Sequence, residues 1–214
     1  VIVFVTGLED AGKCQAAVQY VAEAHSALRT RRFHMSGQTA LQEIEGRGRH
    51  VLKCEQMRVE TMDEARVVVG QESQTPWDLE SGEGMVRAKL GVSLTTGECV
   101  VLLSMHHAIV DEWSSDILKK DLQAFHSLGE GGVVAPEGQF WEFCQWEAEM
   151  LEREGDKLRD WWRHHLEGTR ALKLQGMGDS SDTLGRKAKS MSVRIPAKIR
   201  QQVKEAALAA KTTL

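Results

Sequence analysis

A short apolar run, Val100-Val101-Leu102-Leu103-Ser104-Met105, ends in His106-His107 and continues as Ala108-Ile109-Val110-Asp111-Glu112-Trp113-Ser114, and no other stretch limits the possible folds of this chain so strongly. An uncharged run of this length reads as a buried strand. Ile117, Leu118, Leu122 and Phe125 then mark a helix that opens at Trp113 and ends near Gly129. A strand, a loop and a helix thus hold two imidazoles at one end of a sheet. Neighbouring strand side chains point to opposite faces, so His106 and His107 cannot both look into one cavity.

Val1 to Val5 reads as another strand, and Cys14, Ala17, Val18, Val21, His25 and Leu28 recur at helical spacing. Strand followed by helix predicts an α/β layer. Shorter strands are expected at Arg31 to His34 and His50 to Arg58, separated by a polar loop from Ser36 to Gly48. Thr61 and Glu64 form a capping-box pattern for a helix through about Gly70. Beyond Pro76-Trp77-Asp78-Leu79 and a turn at Gly82 to Gly84, Met85 to Leu94 and Glu98 to Met105 read as a hairpin joined at Thr95-Thr96-Gly97. Two helices are expected at Gln139 to Arg153 and Asp156 to Leu166, with Trp141, Trp146, Trp161 and Trp162 as core or packing residues. Gly168 to Arg186 reads as a connection, Lys189 to Ile195 as a strand, and Ala197 onward as a helix.

With 214 residues, 42% of them hydrophobic, the chain can bury a substantial core. Its 27 Lys and Arg against 31 Asp and Glu lie dispersed, which argues against a nucleic-acid partner. No apolar stretch is long enough to cross a bilayer and no signal peptide is evident, so a soluble, cytosolic protein without a membrane partner is expected. Cys14, Cys54, Cys99 and Cys144 form no CxxC pair and lack a His at zinc-finger spacing, which predicts buried free thiols. The chain starts inside a strand and stops inside a helix, as a fragment of something longer would.

Gly7-Leu8-Glu9-Asp10-Ala11-Gly12-Lys13-Cys14 has the spacing of a phosphate loop between a strand and a helix. Its chemistry is wrong for one. Glu9 and Asp10 would bring negative charge to the phosphates, and Cys14 replaces the hydroxyl that ligates magnesium. An acidic helix start that complements the helix dipole is the simpler reading.

A metal site made of His106, His107 and Asp111 is disfavoured because the two rings diverge and no fourth ligand is evident. That leaves an imidazole able to accept a proton from an amine or alcohol attacking an activated acyl group. Asp111 has two readings: N-cap of the following helix, or a buried carboxylate in need of a cation such as Arg29.

The nine residues from His106 to Ser114 closely resemble the HHxxxDG motif of condensation domains from nonribosomal peptide synthetases. Ala24-His25-Ser26-Ala27-Leu28-Arg29-Thr30 resembles that family's RHExLRT segment, and Pro76-Trp77-Asp78-Leu79 with Val86-Arg87-Ala88-Lys89-Leu90 its PFDL stretch and following strand. Phe140-Trp141-Glu142-Phe143-Cys144-Gln145-Trp146 is similar to its YxDYAxW helix, and Trp162-Arg163-His164-His165-Leu166 to its YWxxxL continuation. The four matches stand in family order along nearly the whole chain.

The resemblance implies an α/β fold like one lobe of chloramphenicol acetyltransferase, a mixed sheet packed with helices. Residues 1 to 186 would form the N-terminal lobe and 187 to 214 the start of a truncated C-terminal lobe. It implies that His107 faces a tunnel between lobes as the catalytic residue, and that His106, Asp111 and Arg29 support it, Asp111 through a salt bridge to Arg29. Glu112, Trp113 and Ser114 are expected beside that tunnel, with Glu112 standing where the motif has Gly. The implied reaction joins a donor acyl thioester to the amine of an aminoacyl thioester. The resemblance implies no directly bound cofactor, phosphopantetheine arms arriving on carrier-protein domains, with an adenylation domain and the second lobe as further partners. Rival expectations are an ester-forming acyltransferase sharing HHxxxDG and a noncatalytic carrier-docking lobe.

Overall fold

The computed structural model describes residues 1–57, 59–170 and 193–213. It divides into two compact units, Val1–Trp162 and Arg163–Leu214. The first contains β1 (Ile2–Leu8), α1 (Ala11–Ala24), a 3-10 turn (Ser26–Arg29), β2 (Thr30–Ser36), β3 (Thr39–Ile44), β4 (Cys54–Gln56), α2 (Met62–Glu72), β5 (Val86–Val92), β6 (Cys99–Met105) and α3 (Glu112–Leu128). Helix α4 (Phe140–His165) runs from the first unit into the second, which also holds α5 (Ala197–Ala209).

The main sheet has the order β1-β6-β5-β4, antiparallel except for the β5 and β4 pair. All seven residues of the central strand β6 are buried, which is why its sequence is apolar without alternation. Val101, Leu103 and Met105 enter the main core with Cys14, Ala17, Val18 and Val21 of α1 and Leu118 and Leu122 of α3. Val100 faces the other side, against Val59 and Ala65 of α2. The two faces are thus separated by the period-two geometry of a strand. On β5, Gly91 is required by packing: a Cβ there would meet side-chain carbons of Met57 and Val59 at 2.8 Å.

The hairpin of β5 and β6 forms as expected, in register from Val86 opposite Met105 to Val92 opposite Cys99. Its turn uses Gly97 at φ 72°. Thr61 caps α2 by accepting from the Glu64 amide, but the Glu64 carboxylate reaches back to the Glu60 amide instead of closing the box on Thr61.

Five expectations need correction. Thr39–Ile44, expected within a loop, is a strand that pairs antiparallel with β2. Its mostly exposed residues give no apolar alternation to read. The segment from His50 to Arg58 forms a strand only at Cys54–Gln56, while Arg58 lies outside the described residues. The two helices expected after Gln139 are one, α4, because the buried Gly155 stays helical with the Arg159 guanidinium packed 3.3 Å from where its Cβ would be. Ion pairs from Lys157 to Glu154 and from Arg159 to Asp156 span the same turn. Finally, Trp141, Trp146, Trp161 and Trp162 are 44, 54, 55 and 52% exposed, so they are not core residues here. Of the strand expected at Lys189 to Ile195, residues 193–195 carry no regular structure and the rest lies outside the described residues. The expected lobe boundary near residue 186 lies outside them too.

Candidate functional site

Strand β6 ends at Met105, and the loop to α3 sets the two imidazoles in different surroundings. The His106 amide donates to the Met85 carbonyl at 3.1 Å, which extends the sheet ladder by one bond. Its ring meets Trp77 edge to face, with centroids 6.3 Å apart. The Arg87 guanidinium covers that indole at 3.9 Å from its centroid and donates to the Pro76 carbonyl at 2.7 Å. Burial lowers the His106 pKa below the ordinary imidazole range and so favours the neutral ring. That ring accepts the Ala108 amide on Nδ1 at 3.0 Å, which turns the loop. His106 is therefore a structural element of the loop.

His107 is exposed and lines a cavity of about 650 Å³. The cavity lies beside the start of α3, between the 3-10 turn and the first turn of α4. Leu28, Ile109, Val110, Leu118, Phe140 and Phe143 supply much of its apolar wall. Such a wall, carrying a few polar groups, suits an acyl chain with one reacting centre.

Asp111 caps α3. Its Oδ1 accepts from the Ser114 amide at 2.8 Å and the Ser114 hydroxyl at 2.7 Å, and the Asp111 amide in turn donates to that hydroxyl. The Ser114 hydrogen bonds, the amide's first, hold the Asp111 carboxyl below its ordinary range. The expected ion pair with Arg29 is not formed. Arg29 is 5% exposed, and its guanidinium donates instead to the carbonyls of Ala22 at 3.2 Å, Glu23 at 2.7 Å and Glu45 at 3.0 Å. The physical reason is that each charge sits on a helix end of opposite sign. Arg29 occupies the negative C-terminus of α1 and Asp111 the positive N-terminus of α3. Ala24, the last residue of α1, stands where RHExLRT begins with arginine, so that position offers the loop no guanidinium.

The three residues expected beside the tunnel separate. Ser114 lines the cavity, whereas Glu112 and Trp113 are outside its wall, and Trp113 is 81% exposed. Their positions on the first turn of α3 explain this, since successive helical residues point about 100° apart. Glu112 begins α3 with negative φ, so a side chain in place of glycine causes no backbone strain there. Its charge is favourable at a helix N-terminus.

The phosphate-loop spacing also resolves. Asp10 Oδ1 accepts from the Gly12 and Lys13 amides at 2.8 and 3.1 Å, so the groups that would cradle a phosphate are bound by the chain's own carboxylate. Among the described residues no group of three or more His, Cys, Asp and Glu side chains is arranged to hold a metal.

Sequence reading missed several residues of the site. Gln139 ties the start of α4 to the end of α1, accepting the Ser26 amide at 2.7 Å and donating to the Ala24 carbonyl at 3.1 Å. His25 lines the same cavity as His107, and its Nε2 lies 2.7 Å from Asp121 of α3. Partners 96 residues apart leave no local spacing to find.

A mixed sheet backed by helices, with a His-bearing loop leaving its central strand beside a cavity, defines one lobe of a chloramphenicol acetyltransferase-like fold. Solved structures of that kind superpose on it. The X-domain from teicoplanin biosynthesis matches with a TM-score of 0.75 at 22% identity, over 100% of this chain and 49% of that one. The condensation domain of the monacolin K polyketide synthase MokA matches with a TM-score of 0.67 at 19% identity, over 99% and 50%. The chain belongs to the condensation-domain family, whose profile matches residues 1–214. A linear gramicidin synthase of Brevibacillus parabrevis is 31% identical over 177 residues, 76% of this chain. Phosphinothricin tripeptide synthetase PhsB of Streptomyces viridochromogenes is 29% identical over 171 residues, again 76% of this chain. The chain spans 3% and 14% of the length of these two relatives and about half of the two structures. No described helix is long and apolar enough to cross a membrane.

Proposed function

We propose that this lobe carries the reaction-centre residue for amide bond formation between two carrier-bound thioesters, and that this residue is His107. The observation that carries the reading is the division of the His pair: His106 is bonded into the loop, while His107 lies in the wall of an apolar cavity. The acceptor amine attacks the donor thioester carbon, the N–C bond forms and the C–S bond breaks. The amine loses a proton and the departing thiolate gains one. An imidazole can accept the first and supply the second. A thioester is already activated, so alignment of the two pantetheine-borne groups, delivered by peptidyl or acyl carrier domains, contributes much of the rate. The capped start of α3 holds the loop in place.

His107→Ala in the complete protein tests this. Amide formation on carrier-bound substrates should fall by a factor on the order of 10² to 10⁴, with donor binding retained. Unchanged turnover would remove His107 from the chemistry. A noncatalytic docking lobe is the second reading, and Glu112 in place of the motif's glycine is what favours it. Against it, Glu112 stands outside the cavity wall and without strain. An alcohol acceptor turned over in preference to an amine would establish the ester-forming alternative.

A further inference from the structure

The polar groups of the cavity wall fall into two sets. Asp111 and Ser114 close the cap of α3 on each other. Gln139 is bonded at both its oxygen and its nitrogen, and Glu142 accepts the Gln139 amide. All four are engaged in local structure, Asp111 and Glu142 through one carboxylate oxygen each. Ser26 and the two imidazoles, His107 and His25, complete the polar lining.

His25 follows the last residue of α1, and its backbone there is extended. Its side chain is 18% exposed, and that of Asp121 is 20% exposed. A carboxylate only accepts, so the Nε2 that lies 2.7 Å from Asp121 carries the hydrogen. In the neutral ring, Nδ1 is then an acceptor. It has no hydrogen-bond partner among the described residues, and it is not one of the three shut-in polar atoms, His34 Nδ1, His50 Nε2 and Glu72 Oε2. Nδ1 therefore remains accessible on a residue that lines the cavity.

We propose that His25, with its ring orientation fixed by Asp121, is a specificity-determining residue whose Nδ1 accepts a hydrogen bond from an N–H or O–H on the acyl chain. It selects amide-bearing chains over all-hydrocarbon ones. The proposal rests on the condensation reading for the identity of the chain as a thioester-borne acyl group. Asp121 is a positioning residue: it sets the tautomer without touching substrate.

The test uses the complete protein and two donor thioesters of equal length, one with an N-acyl amino acid and one with a straight hydrocarbon chain. The wild type should prefer the first in kcat/KM. His25→Ala should cut that preference roughly three- to ten-fold by raising KM for the amide-bearing donor alone, and His25→Asn, which restores an acceptor near Nδ1, should recover part of it. Asp121→Asn should lose an intermediate amount. An equal loss on both donors, with the Asn variant folded by its melting temperature, would overturn the proposal. If His107→Ala left turnover unchanged and the catalytic reading failed, calorimetric titration of unreactive thioether analogues of the two donors would still decide it. Equal affinities of the His25→Ala and wild-type proteins for the amide-bearing analogue would refute it.

Discussion

The carboxylate of Asp111 takes both the amide and the hydroxyl of Ser114, at 2.8 and 2.7 Å, and so joins the His107 loop to the first turn of α3. This contact carries a pH dependence. The carboxyl of Asp111 is held below its ordinary value, chiefly by the Ser114 amide. A depressed folded pKa means stabilisation that is complete above the unfolded value, about 3.9, and lost as pH falls through the folded one. Asp111→Asn should therefore lower stability by a constant amount at neutral and alkaline pH and flatten its fall on acidification. Denaturant midpoints measured from pH 7 down to pH 2 check this.

Arg29 and Asp111 act on different helices, so their losses should add. Arg29→Ala leaves the carbonyls of Ala22, Glu23 and Glu45 without this donor, a loss of about 3 kcal/mol at a buried site. In the double variant with Asp111→Ala, the two stability losses should sum to within about 0.5 kcal/mol, as determined by urea unfolding. A coupling larger than that would restore the direct ion pair.

Trp77 packs edge to face against His106, and Arg87 lies over the indole ring. Burial is the largest cause of the lowered His106 pKa, so Trp77→Ala should move it back up toward the ordinary imidazole range. Side-chain proton NMR titration reads this directly. Turnover should fall in the same variant, because the His106 ring that accepts the Ala108 amide loses its support.

The thiols should divide by burial. Burial pushes Cys14 up to about 12 and Cys54 up to about 11, and Cys99 is 2% exposed. Cys144 is exposed. At pH 8 an aromatic disulfide reagent should label Cys144 quickly and the other three only after unfolding, since the thiolate is the reactive form. Mass spectrometry of the labelled protein gives the site of reaction.

Much of the fold was legible in the residues because its signals are local. The unbroken apolar run of β6, the helical spacing of α1 and the glycine turn between β5 and β6 each declare themselves within a few positions. Strand β3 did not, because it buries too little for a pattern, and the expected gap between two helices is filled by one continuous helix through Gly155. In the site, strand alternation led to the expectation of different roles for His106 and His107, although both lie in the loop beyond β6, and the capping role of Asp111 was one of two open readings.

Residue order alone carries most of the succession of strands and helices, the loop that bears the His pair, and membership of a family recognised by its motifs. The partners of the charged and polar side chains were settled by packing. Arg29 went to the carbonyl end of α1 instead of to Asp111, and His25 met Asp121 across 96 residues of chain. Backbone periodicity and capping act over one or two turns and are written in neighbouring residues. A hydrogen bond between distant elements depends on where packing brings them, and no short stretch of sequence contains that distance.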